Sequence, residues 1–196
     1  MEIIGKDRLY SFSRSGNIRS RNCFIIRRED GLIVKDFLQL ATKVAQIQFN
    51  NPNYVMLFRG QQRDYKRADS KSRQFTSLAP RLFRGNGAQP PEQAVLDKRF
   101  AQLQNAEQYL IEAYESKKYP DSNRLRRQRI LRWAMLQHYE ICDTPLLDVT
   151  HSLRIAASFA SHGNSEEVFV FVLGVPNLGS SLFHVGNLSS SFPAIR

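Results

Sequence analysis

The sequence predicts a mixed α+β domain: a central sheet, mixed or antiparallel, split around a cleft, with helices packed beside it. Three observations carry that expectation. Apolar stretches of strand length stand apart from one another at Tyr54–Gly60, Pro145–Val149 and Val168–Leu173. Between and before them, residues 35–49, 92–114 and 123–139 repeat their apolar positions at three and four, as one helix face does. Turn formers such as Asn50-Asn51-Pro52-Asn53, Gly85-Asn86-Gly87 and Pro90-Pro91 separate these segments.

In chain order, residues 1–34 read as a strand-rich arm. Leu9-Tyr10-Ser11-Phe12 alternates weakly, Cys23-Phe24-Ile25-Ile26 is a compact apolar run, and the basic segment Arg14–Arg21 between them reads as an exposed hairpin tip. Residues 35–196 form the main domain in this reading, and the sequence leaves open whether its C-terminal end is complete. Its first helix carries Phe37, Leu38, Ala41, Val44, Ala45 and Gln48 on one face and stops at Asn50. The Tyr54 strand follows, then a polar, basic stretch over 61–91. Val95, Leu96, Phe100, Leu103, Ala106, Leu110 and Ala113 form the apolar face of the next helix, and Asp121-Ser122-Asn123 is an N-cap cluster for the one after it. A short helix over 152–160 has Leu153, Ala156, Ala157 and Ala160 on one side. Val168–Leu173, apolar at every position, reads as a central strand.

The chain of 196 residues is long enough to bury a core without staples. No apolar run approaches the roughly 20 residues that span a bilayer, so no membrane association is expected. The N-terminus lacks the apolar core of a signal peptide. Two distant cysteines, Cys23 and Cys142, fit a reducing, cytoplasmic setting, and neither they nor the four histidines have metal-ligand spacing. The net charge of +10 attracts polyanions: RNA, DNA, anionic lipid, or an acidic protein that holds the chain inactive. Arg124, Arg126, Arg127 and Arg129 concentrate that charge on a stretch with few acidic residues, which makes them candidates for nucleic-acid contact. A solvated helix face is the competing account.

Two places carry the residue types that chemistry needs. Arg59 closes an apolar strand and is followed by Gly60; a guanidinium fork matches phosphate oxygens, and glycine permits close backbone approach. At the other place, Asp148, Thr150 and Ser152 cluster where an apolar stretch gives way to a helix N-terminus. Asp148 is a candidate to stabilise a cationic transition state or to act as a base, with helix capping or pairing to a buried arginine as the alternatives. Thr150 and Ser152 read as caps that can also face a ligand. Tyr65 is a candidate stacking residue beside Gln61, and His138 a candidate catalytic group.

The motifs Phe58-Arg59-Gly60, Gln137-His138-Tyr139, Thr144–Thr150 and Phe159-Ala160 occur in the order that resembles the FRG domain family, over about residues 36–173. The family usually has glycine after the Gln-His-Tyr block, where this chain has Glu140, and tryptophan where it has Val149. A second, weaker similarity is to ADP-ribosyltransferases of the arginine-serine-glutamate type, and implies that type of split-sheet fold. By that similarity Arg59, with Gly60, Gln61 and Tyr65, holds the diphosphate side of NAD, and Thr150 and Ser152 line the nicotinamide side. Arg59, Asp148 and His138 are then the catalytic candidates. NAD is the substrate and no metal is required. The late glutamate of that type has no counterpart, because residues 168–196 contain no Asp or Glu. Either it lies beyond Arg196, or another group replaces it, or the site is not catalytic. The resemblance implies an ADP-ribosyltransferase that modifies a macromolecule such as RNA or DNA, of the kind found among bacterial toxins and phage-defence proteins. The alternative is a non-catalytic nucleotide- or nucleic-acid-binding domain.

Overall fold

The computed structural model describes residues 8–68, 71–85, 89–163 and 165–177. In chain order these form β1 (Arg8–Phe12), β2 (Ile18–Asn22), α1 (Cys23–Ile26), α2 (Phe37–Asn50), β3 (Tyr54–Gln61), β4 (Lys66–Ala68), β5 (Gln74–Thr76), a 3-10 turn (Arg81–Phe83), α3 (Gln93–Ser116), α4 (Ser122–Arg127), α5 (Arg129–His138), α6 (Leu153–Ala160) and β6 (Phe169–Pro176). The α+β class is as expected. The strands pair as three antiparallel ladders, β1 with β2, β3 with β6, and β4 with β5. The chain divides into two compact units, one of residues up to 63 together with those from 149, the other of residues 64–148.

In the first unit, β3 and β6 pair along their full lengths, from Tyr54 opposite Pro176 to Gln61 opposite Phe169. Side chains alternate across a strand, so Met56, Phe58 and Gly60 share one face. Met56 and Phe58 form the core there with Val44 of α2 and Ala156 of α6, and Val170 and Val172 pack against it. The β1–β2 hairpin is tied to the end of α2 by Asn51, which is 5 % exposed. Its amide donates to the Tyr10 carbonyl at 3.0 Å and accepts from the Tyr10 N–H at 2.9 Å. The residue that stops the helix is therefore also the clamp on the hairpin.

The second unit is built on α3. Leu82, Leu103 and Leu136 form its core, flanked by Phe83, Phe100, Leu110, Trp133 and Cys142. Burial, with the negative charges of Asp143 and Glu107, pushes the Cys142 thiol above its usual pKa. Two cations hold the backbone near the 3-10 turn: Arg99 of α3 donates to the carbonyls of Leu82 and Arg84, and Arg67 of the basic stretch to that of Phe83.

Three elements differ from expectation. Cys23–Ile26 is a turn of helix rather than a strand, because the Asn22 side chain accepts from the Ile25 N–H at 2.9 Å and caps it. The helix expected over 123–139 is two, broken at Gln128, whose φ of −103° and ψ of 95° are extended. The break sets Arg129 and Arg132 against Glu107 of α3, and Arg132 donates to the carbonyls of Leu125 and Arg126, stranded at the end of α4. Pro145–Val149 is not a strand; only Thr150 makes a bridge, to Phe58. Pro145 has no N–H to give a ladder, and the Leu146 N–H turns to the Thr144 hydroxyl at 3.3 Å.

Candidate functional site

The two distant motifs meet in the first unit. The Phe58 N–H donates to the Thr150 carbonyl at 2.7 Å, and the Thr150 N–H to the Phe58 carbonyl at 2.9 Å. Thr150 thus extends the ladder on the side of β3 away from β6. The chain then turns: the Thr150 hydroxyl accepts from the Ser152 N–H at 3.0 Å, and the Ser152 hydroxyl caps α6 by accepting from Ile155 N–H at 3.3 Å. Both hydroxyls therefore do local work.

Gly60 explains why α6 lies where it does. A methyl group added there would stand 1.9 Å from the Ala156 carbonyl oxygen and 2.8 Å from the Ala160 nitrogen. Ala156 and Ala160 are 1 % and 0 % exposed. The glycine anticipated as a point of ligand approach is filled by the backbone of α6, so the Phe-Arg-Gly and Phe-Ala motifs are two halves of one contact.

Arg59 projects to the other face of β3, beside Gln61, and its cross-strand partner is Phe171. Its Nε donates to the Gln61 carbonyl oxygen at 3.1 Å. Gln61 is 8 % exposed, and its amide nitrogen is buried with no hydrogen-bond partner among the described residues. Phe169 and Phe171 lie nearly parallel on the same face, with centroids 6.4 Å apart. This face combines an oriented guanidinium, an unused buried donor and two aromatic rings. Antiparallel partners project from the same side, so Thr150 points with Phe58 toward α6 and not with Arg59. The motifs share a ladder, but the Arg59 and Thr150 side chains occupy opposite faces.

The remaining candidates lie in the second unit. Gln137 is their organiser: its amide nitrogen donates to Asp148 at 2.5 Å, and its carbonyl oxygen accepts from the Thr144 hydroxyl. Thr144 is 2 % exposed. One side chain thus fixes both ends of the Thr-Pro-Leu-Leu-Asp loop, a role that the motif spacing alone did not reveal. Asp148 and His138 are exposed, and the His138 ring meets Tyr139 edge-on at 5.0 Å. Tyr65 is half exposed and carries the Arg84 guanidinium 5.3 Å from its ring centre. Of the four arginines expected at nucleic acid, Arg129 is paired with Glu107 and lies over Trp133, while Arg124, Arg126 and Arg127 are exposed. Among the described residues no cluster of His, Cys, Asp and Glu is arranged to hold a metal ion, and no helix is long and apolar enough to cross a membrane.

The model of the FRG domain family matches residues 54–168, more than half of the sequence. The chain belongs to the FRG domain family. No curated protein and no solved structure matches it. The family segment begins with β3 and ends beside β6, so it spans both halves of the Gly60–α6 contact and the whole Gln137 network. The usual family glycine after Gln-His-Tyr now has a physical reason. Glu140 has φ of 52° and follows the C-cap of α5; its N–H donates to the Gln137 carbonyl and that of Ile141 to the Leu136 carbonyl. This is the paired-bond helix ending in which glycine is favoured. Glu140→Gly is expected to raise stability by about 1 kcal/mol and the melting temperature by about 3 °C, while Glu140→Ala gives no gain. Thermal melts followed by circular dichroism check this, and equal melting of the two variants would remove the strain argument.

Proposed function

We propose that this FRG domain is an NAD-consuming ADP-ribosyltransferase acting on a macromolecule, with Arg59 as the grip on the diphosphate. The observation that carries the reading is the Arg59 face of β3 and β6. Gln61 holds the Nε edge of Arg59, which orients its planar fork, and the Gln61 amide nitrogen remains as a buried donor. Phe169 and Phe171 give that face flat apolar surface suited to an adenine or nicotinamide ring. In this reading the protein adopts the split-sheet transferase architecture. Nicotinamide departs with the electrons of its bond to ribose C1′, the sugar passes through a cationic state, and an acceptor nucleophile adds and loses its proton. Thr150 contributes by fixing the β3 backbone, and an acidic protein is the kind of partner suited to restrain a toxin of this charge.

A second reading, a recognition domain without turnover, is favoured by one observation: residues 168–196 offer no carboxylate in place of the late glutamate. Nicotinamide release from labelled NAD separates the two. Release is expected from the wild type and to fall about 100-fold in both Arg59→Ala and Arg59→Lys, because lysine keeps the charge but not the fork. Circular dichroism should show unchanged folding. Equal rates in wild type and variants would remove Arg59 from the reaction, and NAD binding without release would establish the second reading.

A further inference from the structure

We infer that the end of α3, the turn after it and α4 form a binding surface for single-stranded nucleic acid. Rested on the transferase proposal, this names the acceptor class; as a binding claim it stands alone. Lys117, Lys118, Arg124, Arg126 and Arg127 are all exposed within a short stretch of chain. Glu107 takes Arg129 and Arg132 out of play, so the arginines that remain are those of α4. Arg127 has no partner among the described residues. Arg124 has only the Gln128 side chain, at 3.3 Å, and Arg126 approaches Glu115 only to 4.0 Å, with both groups largely in water. These charges are held beside one another without being neutralised, which is what phosphate attraction requires.

Two features select single strands over duplex and over an acidic protein. Tyr119 is 47 % exposed, and its ring is steadied by the edge contact with Tyr114 at 5.1 Å and by Lys117 at 5.9 Å from its centre. A base released from a helix can stack on such a ring, and a paired base cannot. Two residues further along the chain begins the lining of an open hollow of about 410 Å³, formed by Asp121, Ser122, Asn123, Arg124, Arg127 and Gln128. Its amide and hydroxyl groups can donate to and accept from the edge of a base that no complementary strand occupies, and its arginines can take the adjoining phosphate. An acidic peptide would use the charges but neither the ring nor the mixed donors and acceptors of the hollow.

The test is fluorescence anisotropy of the intact chain with labelled oligouridine, oligothymidine and a hairpin duplex, titrated at several KCl concentrations without NAD. Both single strands are expected to bind at least tenfold tighter than the duplex. Arg124→Gln combined with Arg127→Gln is expected to weaken binding at least tenfold and to lower the salt slope by about 1.4, which is about 0.7 for each of the two phosphates that the variant leaves without a cation. Tyr119→Ala is expected to weaken single-strand binding about tenfold with the salt slope unchanged, as removal of one stacking platform does. Arg14→Gln with Arg19→Gln, on the hairpin, is the control and should have little effect. Equal affinity for duplex, or indifference to the α4 and Tyr119 variants, would overturn the inference. Polyglutamate competing as well as oligouridine would reassign the surface to an acidic protein. Because NAD is absent, failure here leaves the Arg59 reaction untouched, and absence of nicotinamide release leaves this surface untouched.

Discussion

Gly60→Ala is expected to destabilise the protein by about 3 kcal/mol, a fall in melting temperature of about 10 °C. The obstacle is backbone. The new carbon would stand 1.9 Å from the carbonyl oxygen of Ala156 and 2.9 Å from its carbonyl carbon. A flexible side chain could swing aside, but the middle of α6 can move only by lifting the helix from the sheet. That would open the core in which Ala156 meets Met56, Phe58 and Val44. The Thr150 bridge to Phe58 lies at the foot of the same helix, so lifting α6 strains the junction of the two motifs as well. Circular dichroism melts of Gly60→Ala and of Gly31→Ala make the measurement; at Gly31 an added methyl group meets open space and should change little. Equal melting of both variants would show that α6 does not depend on the missing side chain.

Glu107→Gln is expected to cost about 3 kcal/mol in the second unit. Glu107 is 5 % exposed and holds Arg129 and Arg132 by charge-assisted hydrogen bonds of 3.0–3.2 Å. The Arg129 side chain is 52 % exposed, so water screens its share, whereas that of Arg132 is 12 % exposed and keeps a buried charge when the carboxylate goes. Arg132 is also the donor that satisfies the Leu125 and Arg126 carbonyls where α4 ends, so the damage reaches the α4–α5 break. Combining Glu107→Leu with Arg132→Met is expected to recover part of the loss, because it removes the two most buried charges together but leaves the Leu125 and Arg126 carbonyls without their donor. Denaturant unfolding of both variants decides it. A Glu107→Gln midpoint equal to that of the wild type would mean that the arginines find other partners.

Much of the local structure was legible in the sequence. The period of three and four located α2 and α3, the Asn50–Asn53 cluster marked the end of α2, and Ser152 marked the start of α6. The strand Tyr54–Gly60 lies within β3, and the expected Val168–Leu173 overlaps β6, which starts at Phe169 and runs to Pro176. Short apolar runs were ambiguous, since four residues fit either period; the Asn22 cap decided Cys23–Ile26. The break at Gln128 left no Gly or Pro signal, and it coincides with the pairing of Arg129 and Arg132 to a carboxylate on another helix. The motif residues were legible as motifs, but their work was not: Gln137 as the organiser of Thr144 and Asp148 follows from hydrogen bonds that no spacing announces.

The sequence by itself determined where the longer helices α2 and α3 and the strands β3 and β6 form and which side chains carry charge and hydrogen-bonding capacity, because propensity, capping and periodicity act over a few residues. Only the tertiary structure decided which groups meet and on which side. Strand alternation sends Arg59 to one face and Gly60 to the other, and the pairing of Phe58 with Thr150 turns Thr150 toward α6. Such outcomes depend on register between segments some ninety residues apart, and register is set by packing of the whole unit rather than by any local preference.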